Sequence, residues 1–461
     1  MRARANGRLL GAALACGTAF DIAARRGLTT IAATMAVVVV AGALLLSGRL
    51  GGRASRLLVG AAPSLAVILT FRTNPWVTVP AGLAIALLLV LGVSFGADGS
   101  GIRATFPTLC CRLAVVMGHL ALAPGMLRAR GAEKAPKRGA ALARGVMLGG
   151  PVVVAIGLLL ASADPIFRSW FDLAAVLQHL ALTMIGSWVV LGLLRAASAQ
   201  KPSPELPAAP SLGTVEAACV LSGLCALYAT FVIAQFVALS SGGQHVLATH
   251  GLTYAEYARR GFFQLLACTA LTLVVLLSVR ACANPSHPVL AGLSELTVLL
   301  TMGVVLVAIR RLQLYEGAYG LTMLRLGSLV SAVWIGVVFL LLGVDIARRG
   351  SSSRWYPAAV LLSGFITVAA WGASNPAAIV AQTNLSRAQH GQRFDVDQAL
   401  SLGADALPTI VTDLRHLDPG PAAELRLAIC GRTPRRGPGS AFNGSLSSAR
   451  QAVERVCGQS G

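Results

Sequence analysis

Charge is what this sequence has least of. Only 12% of its 461 residues are Asp, Glu, Lys or Arg, about half the share of a soluble domain. With 55% hydrophobic residues and a mean hydropathy of +0.72, that scarcity excludes an ordinary soluble protein. Lysine is nearly absent: Lys134, Lys137 and Lys201 stand against a background of arginine. Together with abundant Ala and Gly, this points to a bacterial genome rich in G and C. No CxxC is present, so a zinc or redox site has little support. There is no nucleotide-binding loop and no nucleophile–base set. No catalytic residue is assigned, no cofactor or metal is expected, and enzymatic activity is disfavoured. The N-terminus has no cleavable signal pattern, because its apolar stretch 9–20 is short and runs into Asp21, Arg25 and Arg26.

What the chain does have is long apolar runs, the signal of membrane-crossing helices. Eleven are read, at 28–47, 57–71, 76–95, 105–126, 145–163, 176–194, 214–239, 261–279, 289–309, 322–346 and 355–373. Residues 9–20 form either an interfacial amphipathic helix or one more span. The expected fold is all-α: a polytopic transmembrane helical bundle of about 11–12 spans with a small extracytoplasmic C-terminal helical segment. The divisions are a basic N-terminal segment (1–27), N-terminal spans (28–126), a basic cytoplasmic loop (127–144), the main transmembrane domain (145–373) and a helical tail (374–461). Short tail helices are expected near 377–388, 396–402, 407–417, 422–430 and 445–457.

The net charge of +20 therefore concerns orientation and anionic headgroups rather than nucleic acid, for which no motif is present. Residues 128–144 carry six Lys or Arg and one Glu, which places that loop in the cytoplasm. Alternating from it puts the N-terminus inside and the C-terminus outside. The expected location is the bacterial plasma membrane, and the bilayer is the first partner.

Seven of the nine cysteines lie in or beside apolar helices and read as small core residues. Cys430 and Cys457 differ. Both lie in the outward tail, where disulfides are permitted. Their pairing would stabilise by about 3 kcal/mol in the loop-entropy picture. His245 and His250, near Glu256, match no zinc spacing.

Two clusters of Arg, Tyr and Glu adjoin spans on the outward side of this topology. The first holds Tyr254, Glu256, Tyr257, Arg259 and Arg260; the second holds Arg310, Arg311, Tyr315, Glu316, Tyr319 and Arg325. Asp164 lies in another outward loop. Helical spacing pairs Glu256 with Arg260 and Arg311 with Tyr315. These twelve residues form either a lock between outer helix ends or a pocket for an anionic lipid or a lipid-linked phosphate, since Arg donates two parallel hydrogen bonds. Glu295 is an intramembrane carboxylate, a functional candidate by default.

Four motifs carry a family resemblance: SADPIF (162–167), LTYAEYARRGFFQLL (252–266), RRLQLYEGAYGLTMLRL (310–326), and NPAAIVAQTNLSRA followed by FDVDQALSLGADALP (375–408). Over roughly 145–408 the chain resembles the bacterial integral-membrane family known as domain of unknown function 4153/4173. The resemblance implies a polytopic membrane protein and supplies no catalytic residues. The leading expectation is an envelope protein that binds an anionic lipid or a protein partner at its outer face for signalling or assembly. Transport of a small anion or lipid along Glu295 and Arg325 is the alternative. An enzyme acting on a lipid-linked substrate is the third reading; the first outer loop, without a carboxylate, counts against it.

Overall fold

The computed structural model of the chain describes residues 2–48, 50–96, 105–121, 173–198, 212–240, 262–283, 287–348, 355–431 and 441–458. Among the described residues every regular element is helical and none is a strand. In chain order the helices are α1 (Arg2–Arg26), α2 (Ile31–Leu46), α3 (Arg53–Phe71), α4 (Pro75–Ser94), α5 (Phe106–Ala121), α6 (Leu173–Ser198), α7 (Thr214–Ser240), α8 (Phe262–Cys282), α9 (Pro288–Tyr319), α10 (Met323–Ala347) and α11 (Tyr356–Ser374). The tail adds α12 (Pro376–Gln389), α13 (Val396–Ser401), α14 (Leu407–Asp413), α15 (Pro419–Cys430) and α16 (Gly444–Cys457). Among the described residues eight helices (α3, α4 and α6–α11) are long and apolar enough to cross a membrane. The protein is a multi-pass, all-α membrane protein.

Local chemistry sets the helix ends. The Asn74 side chain accepts from Trp76 N at 3.0 Å, and Pro75 follows at the first helical position of α4, where its missing N–H costs nothing. Thr322 caps α10 in the same way. Gly320 ends α9 at φ 77°, a left-handed conformation open to glycine. Asn375 turns the corner from α11 into α12 at φ 51°, and its side-chain oxygen accepts from Ala378 N.

Among the described residues four apolar clusters fill the membrane part. α1–α6 share one, α7–α11 a second, α7–α10 a third, and α4 and α5 a small fourth. α1 lies antiparallel to α6, because Gly17 meets Ser187 while Asp21 meets His179. Small residues permit that approach: a Cβ on Gly17 would lie 2.4 Å from Thr183 O. α1 therefore packs lengthwise against α6. The tail helices enclose a core of their own that also takes in Leu321 and Met323 from the α9–α10 turn.

The tail helices touch several connections at once. Ile31 N donates to Phe442 O at 2.9 Å. Thr73 N donates to Asp405, and Leu321 N to Asn384. The α1–α2, α3–α4 and α9–α10 turns thus share one face with the tail. The alternation read from sequence set 72–75 and the α9–α10 turn on opposite faces, and the structure corrects it. Hydropathy fixes sidedness only by parity, so one miscounted crossing between α5 and α6 inverts every loop before it. The stretch 145–163, counted as one crossing, and the basic loop at 128–144 lie outside the described residues.

Candidate functional site

The seam between tail and membrane helices is built from polar side chains that seize backbone. Asp405 sits in the turn before α14 and is 2% exposed. Its carboxylate accepts from Thr73 N at 2.9 Å, Thr73 Oγ1 at 2.8 Å and Asn74 N at 3.0 Å. Backbone donors aimed at a buried carboxylate make strong, charge-assisted bonds. Asn74 answers by donating its amide to Leu402 O at 3.1 Å. Asn375 donates to Asp405 O at 2.9 Å, which ties the α11–α12 corner into the same knot.

Two further anchors repeat this design. Asn443, before α16, donates to Thr29 O at 2.6 Å and, at 3.2 Å, to Leu69 O and Arg72 O. Asn384 of α12 accepts from Leu321 N at 2.9 Å and donates to Leu321 O at 2.8 Å, where Gln398 also donates at 2.8 Å. Arg72 closes over the end of α11, donating to Gly372 O at 2.8 Å and Ala373 O at 3.1 Å. Burial pushes the Arg72 pKa down, and the Asp405 carboxylate pulls it back up. Cys430 and Cys457 are joined, with Cα atoms 5.7 Å apart, which staples α15 to α16. The tail is thus a small module fastened to three turns and one helix corner.

Between the end of α9 and this module lies a polar cleft of about 670 Å³. Tyr319, Arg387, Arg393, Asp395, Asp397 and Glu424 line it. Two guanidiniums and three carboxylates around one cavity suit a ligand bearing both charges rather than a simple anion.

The second sequence cluster is brought together, but most of its cations are engaged internally. α9 is 32 residues long, about 48 Å, so its last turns stand clear of a hydrocarbon layer about 30 Å thick. Arg325 donates to Tyr319 O at 3.2 Å and to Gly320 O, and lies 4.1 Å from the centre of the Tyr315 ring. Tyr315 and Tyr319 pack at 5.1 Å. Arg311 donates to Gln235 of α7 at 2.9 Å. Arg310 is exposed, and the Glu316 Oε1 atom is buried. This arrangement closes the α9–α10 turn. Asp164, Tyr254, Glu256, Tyr257, Arg259 and Arg260 lie outside the described residues, as do His245 and His250. Glu295 is exposed on α9, 24 residues before Tyr319, which is about 36 Å along the helix. It does not share a site with Arg325.

Several polar groups escaped the sequence reading. Arg280 of α8 pairs with Asp345 of α10 at 2.8 Å, with the Asp345 side chain 2% exposed. Asp21 of α1 pairs with His179 of α6 at 2.5 Å, and Arg25 closes on the other ring nitrogen of that histidine. Asp345 and His179 sit inside apolar runs, and that placement was the available signal. Asp405 and Asn443 gave none, because a short polar residue in a turn is commonplace. Among the described residues no three His, Cys, Asp or Glu side chains gather as metal ligands would.

A family model described as Domain of unknown function (DUF4153) matches residues 59–412. The match covers well over half of the chain, and the protein belongs to that family. It reaches further toward the N-terminus than the four motifs do. Comparison with curated proteins and with solved structures returns no match.

Proposed function

We propose that this member of the DUF4153 family is a bacterial cell-membrane protein that acts by binding, holding its C-terminal module as a fixed platform outside the cytoplasm. The carrying observation is the polar seam. Asp405, Asn443 and Asn384 each engage backbone of a different membrane turn, more anchorage than a passive tail requires. The Cys430–Cys457 bond supports an oxidising compartment for the module. Positive residues at helix ends on the far face, Arg53 and Arg56 at the start of α3 and Arg348 after α10, support a cytoplasmic position there.

The ligand we favour is a segment of an envelope protein lying in the polar cleft, in an assembly or signalling role. Its mixed charges fit a peptide better than a phosphate headgroup. Arg311 and Arg325 are already engaged by Gln235 and by the α9–α10 turn, which lowers the case for an anionic-lipid pocket there. The test is proximity labelling in the native host, comparing wild type with Arg393→Glu/Asp397→Lys. Both residues line the cleft and are exposed. The account expects specific envelope neighbours to disappear in the variant while membrane insertion is unchanged. An identical set of neighbours would remove the cleft as the binding surface.

A further inference from the structure

A second cavity, of about 680 Å³, opens inside the membrane part between α4, α10 and α11. Trp76 and Leu87 of α4, Gly327 and Trp334 of α10, and Leu361 and Trp371 of α11 line it. From this groove we infer a binding site for one acyl chain of a bilayer lipid, taken from the leaflet on the module's side.

Three observations lead there. The first is chemistry. Two of the three hydroxyl side chains lining the groove are turned onto their own helices: Ser331 donates to Gly327 O and Thr367 to Ser363 O, each at 2.8 Å. Trp371 Nε1 donates to Trp76 O at 2.9 Å, and Trp334 Nε1 to Ser363 Oγ at 3.2 Å. These groups are satisfied, so a polar ligand would gain little from them, whereas an apolar one leaves nothing unpaired. The second is length. Trp76 to Leu87 is eleven residues, as is Val360 to Trp371, about 16 Å along either helix. That is roughly half of a 30 Å hydrocarbon layer, the depth of one leaflet. The third is the mouth. Trp76 and Trp371 stand at the start of α4 and the end of α11, on the module's face, where indoles prefer the headgroup boundary. The medium around these helices is itself acyl chain, so the occupant needs no delivery. This inference does not rest on the peptide reading of the polar cleft.

Gly327 gives a direct way to close the groove. A Cβ built there meets no atom nearer than Trp76 Cε3 at 4.0 Å, so a phenyl ring has room to enter. The experiment reconstitutes the full chain in phosphatidylethanolamine–phosphatidylglycerol vesicles doped with a phosphatidylethanolamine carrying a diazirine in its acyl chain. Photolabelled peptides are then mapped by mass spectrometry. We expect labelling at Leu87 and Leu361 to exceed that at the outward α8 residues Leu271 and Val274. Gly327→Phe should cut the groove labelling at least fivefold and leave the α8 labelling unchanged, and Gly327→Ala should resemble wild type. Equal labelling of groove and α8 residues in the wild-type protein overturns the site even if the Phe variant fails to insert. Efficient disulfide cross-linking between two copies through Leu83→Cys would assign the groove to a second copy and overturn it as well.

Discussion

Replacing Asp405 by Ala should loosen the module from the membrane helices without unfolding either. The carboxylate is buried and holds Thr73 N and Asn74 N. Its removal strands two backbone donors, and each unsatisfied buried donor costs about 1–3 kcal/mol. Thr73 is half-buried, so water offsets part of its loss, whereas Asn74 is buried. The seam should weaken by about 2–5 kcal/mol, which is roughly 30-fold to 4,000-fold in the docking equilibrium. Hydrogen exchange reads this directly at the amides of Thr73 and Asn74. Both should exchange at least 30-fold faster in Asp405→Ala, while amides in the middle of α3 and α10 keep their protection. Asp405→Asn retains one acceptor oxygen and turns an NH₂ toward the second donor, so it should fall nearer to Ala than to wild type. A change below about threefold at both amides, in a folded variant, would refute the reasoning and reduce Asp405 to a surface contact.

Three further outcomes follow from packing. Arg280→Ala removes the 2.8 Å ion pair with the buried Asp345 carboxylate and should lower stability by about 3–5 kcal/mol; in detergent unfolding, Arg280→Leu/Asp345→Leu should lose less than Arg280→Ala. Gly17→Ala drives a methyl against the Thr183 carbonyl and Ser187 Oγ and should cost about 1–3 kcal/mol, visible as faster proteolysis at the α1–α2 turn. Gly11→Ala, with nothing within 4 Å, should be neutral in the same assay. Cys430→Ser should destabilise α15 and α16 by about 3 kcal/mol, seen as local hydrogen exchange and equal to the effect of reductant on the wild-type protein.

Much of the fold was legible because apolar length is a strong signal. The runs at 57–71, 76–95 and 355–373 became α3, α4 and α11 with shifts of a few residues at most. The tail helices were legible for another reason: Pro and Gly punctuate them, as at Pro376, Pro419 and Gly444. Sidedness was not legible, because it is inherited through parity across 105–176 and a single uncertain crossing inverts it. The site was only partly legible. The Arg and Tyr residues of α9 and α10 stood out by composition, yet they close a turn. The residues that fasten the module, Asp405, Asn443 and Asn384, are ordinary polar residues made decisive by partners 63 to 414 positions away. No local pattern encodes such a partner.

The central claim is that one face carries the module together with the α1–α2, α3–α4 and α9–α10 turns. Membrane-impermeant maleimide labelling of single cysteines in intact spheroplasts tests it. Arg26→Cys and Gln392→Cys lie on that face, while Arg56→Cys and Ala347→Cys lie on the other; all four positions are exposed. The account predicts that Arg26→Cys and Gln392→Cys label in intact spheroplasts and that the other two label only after permeabilisation. Labelling of Gln392→Cys together with Arg56→Cys, with Arg26→Cys protected, would contradict it and restore the alternation read from hydropathy.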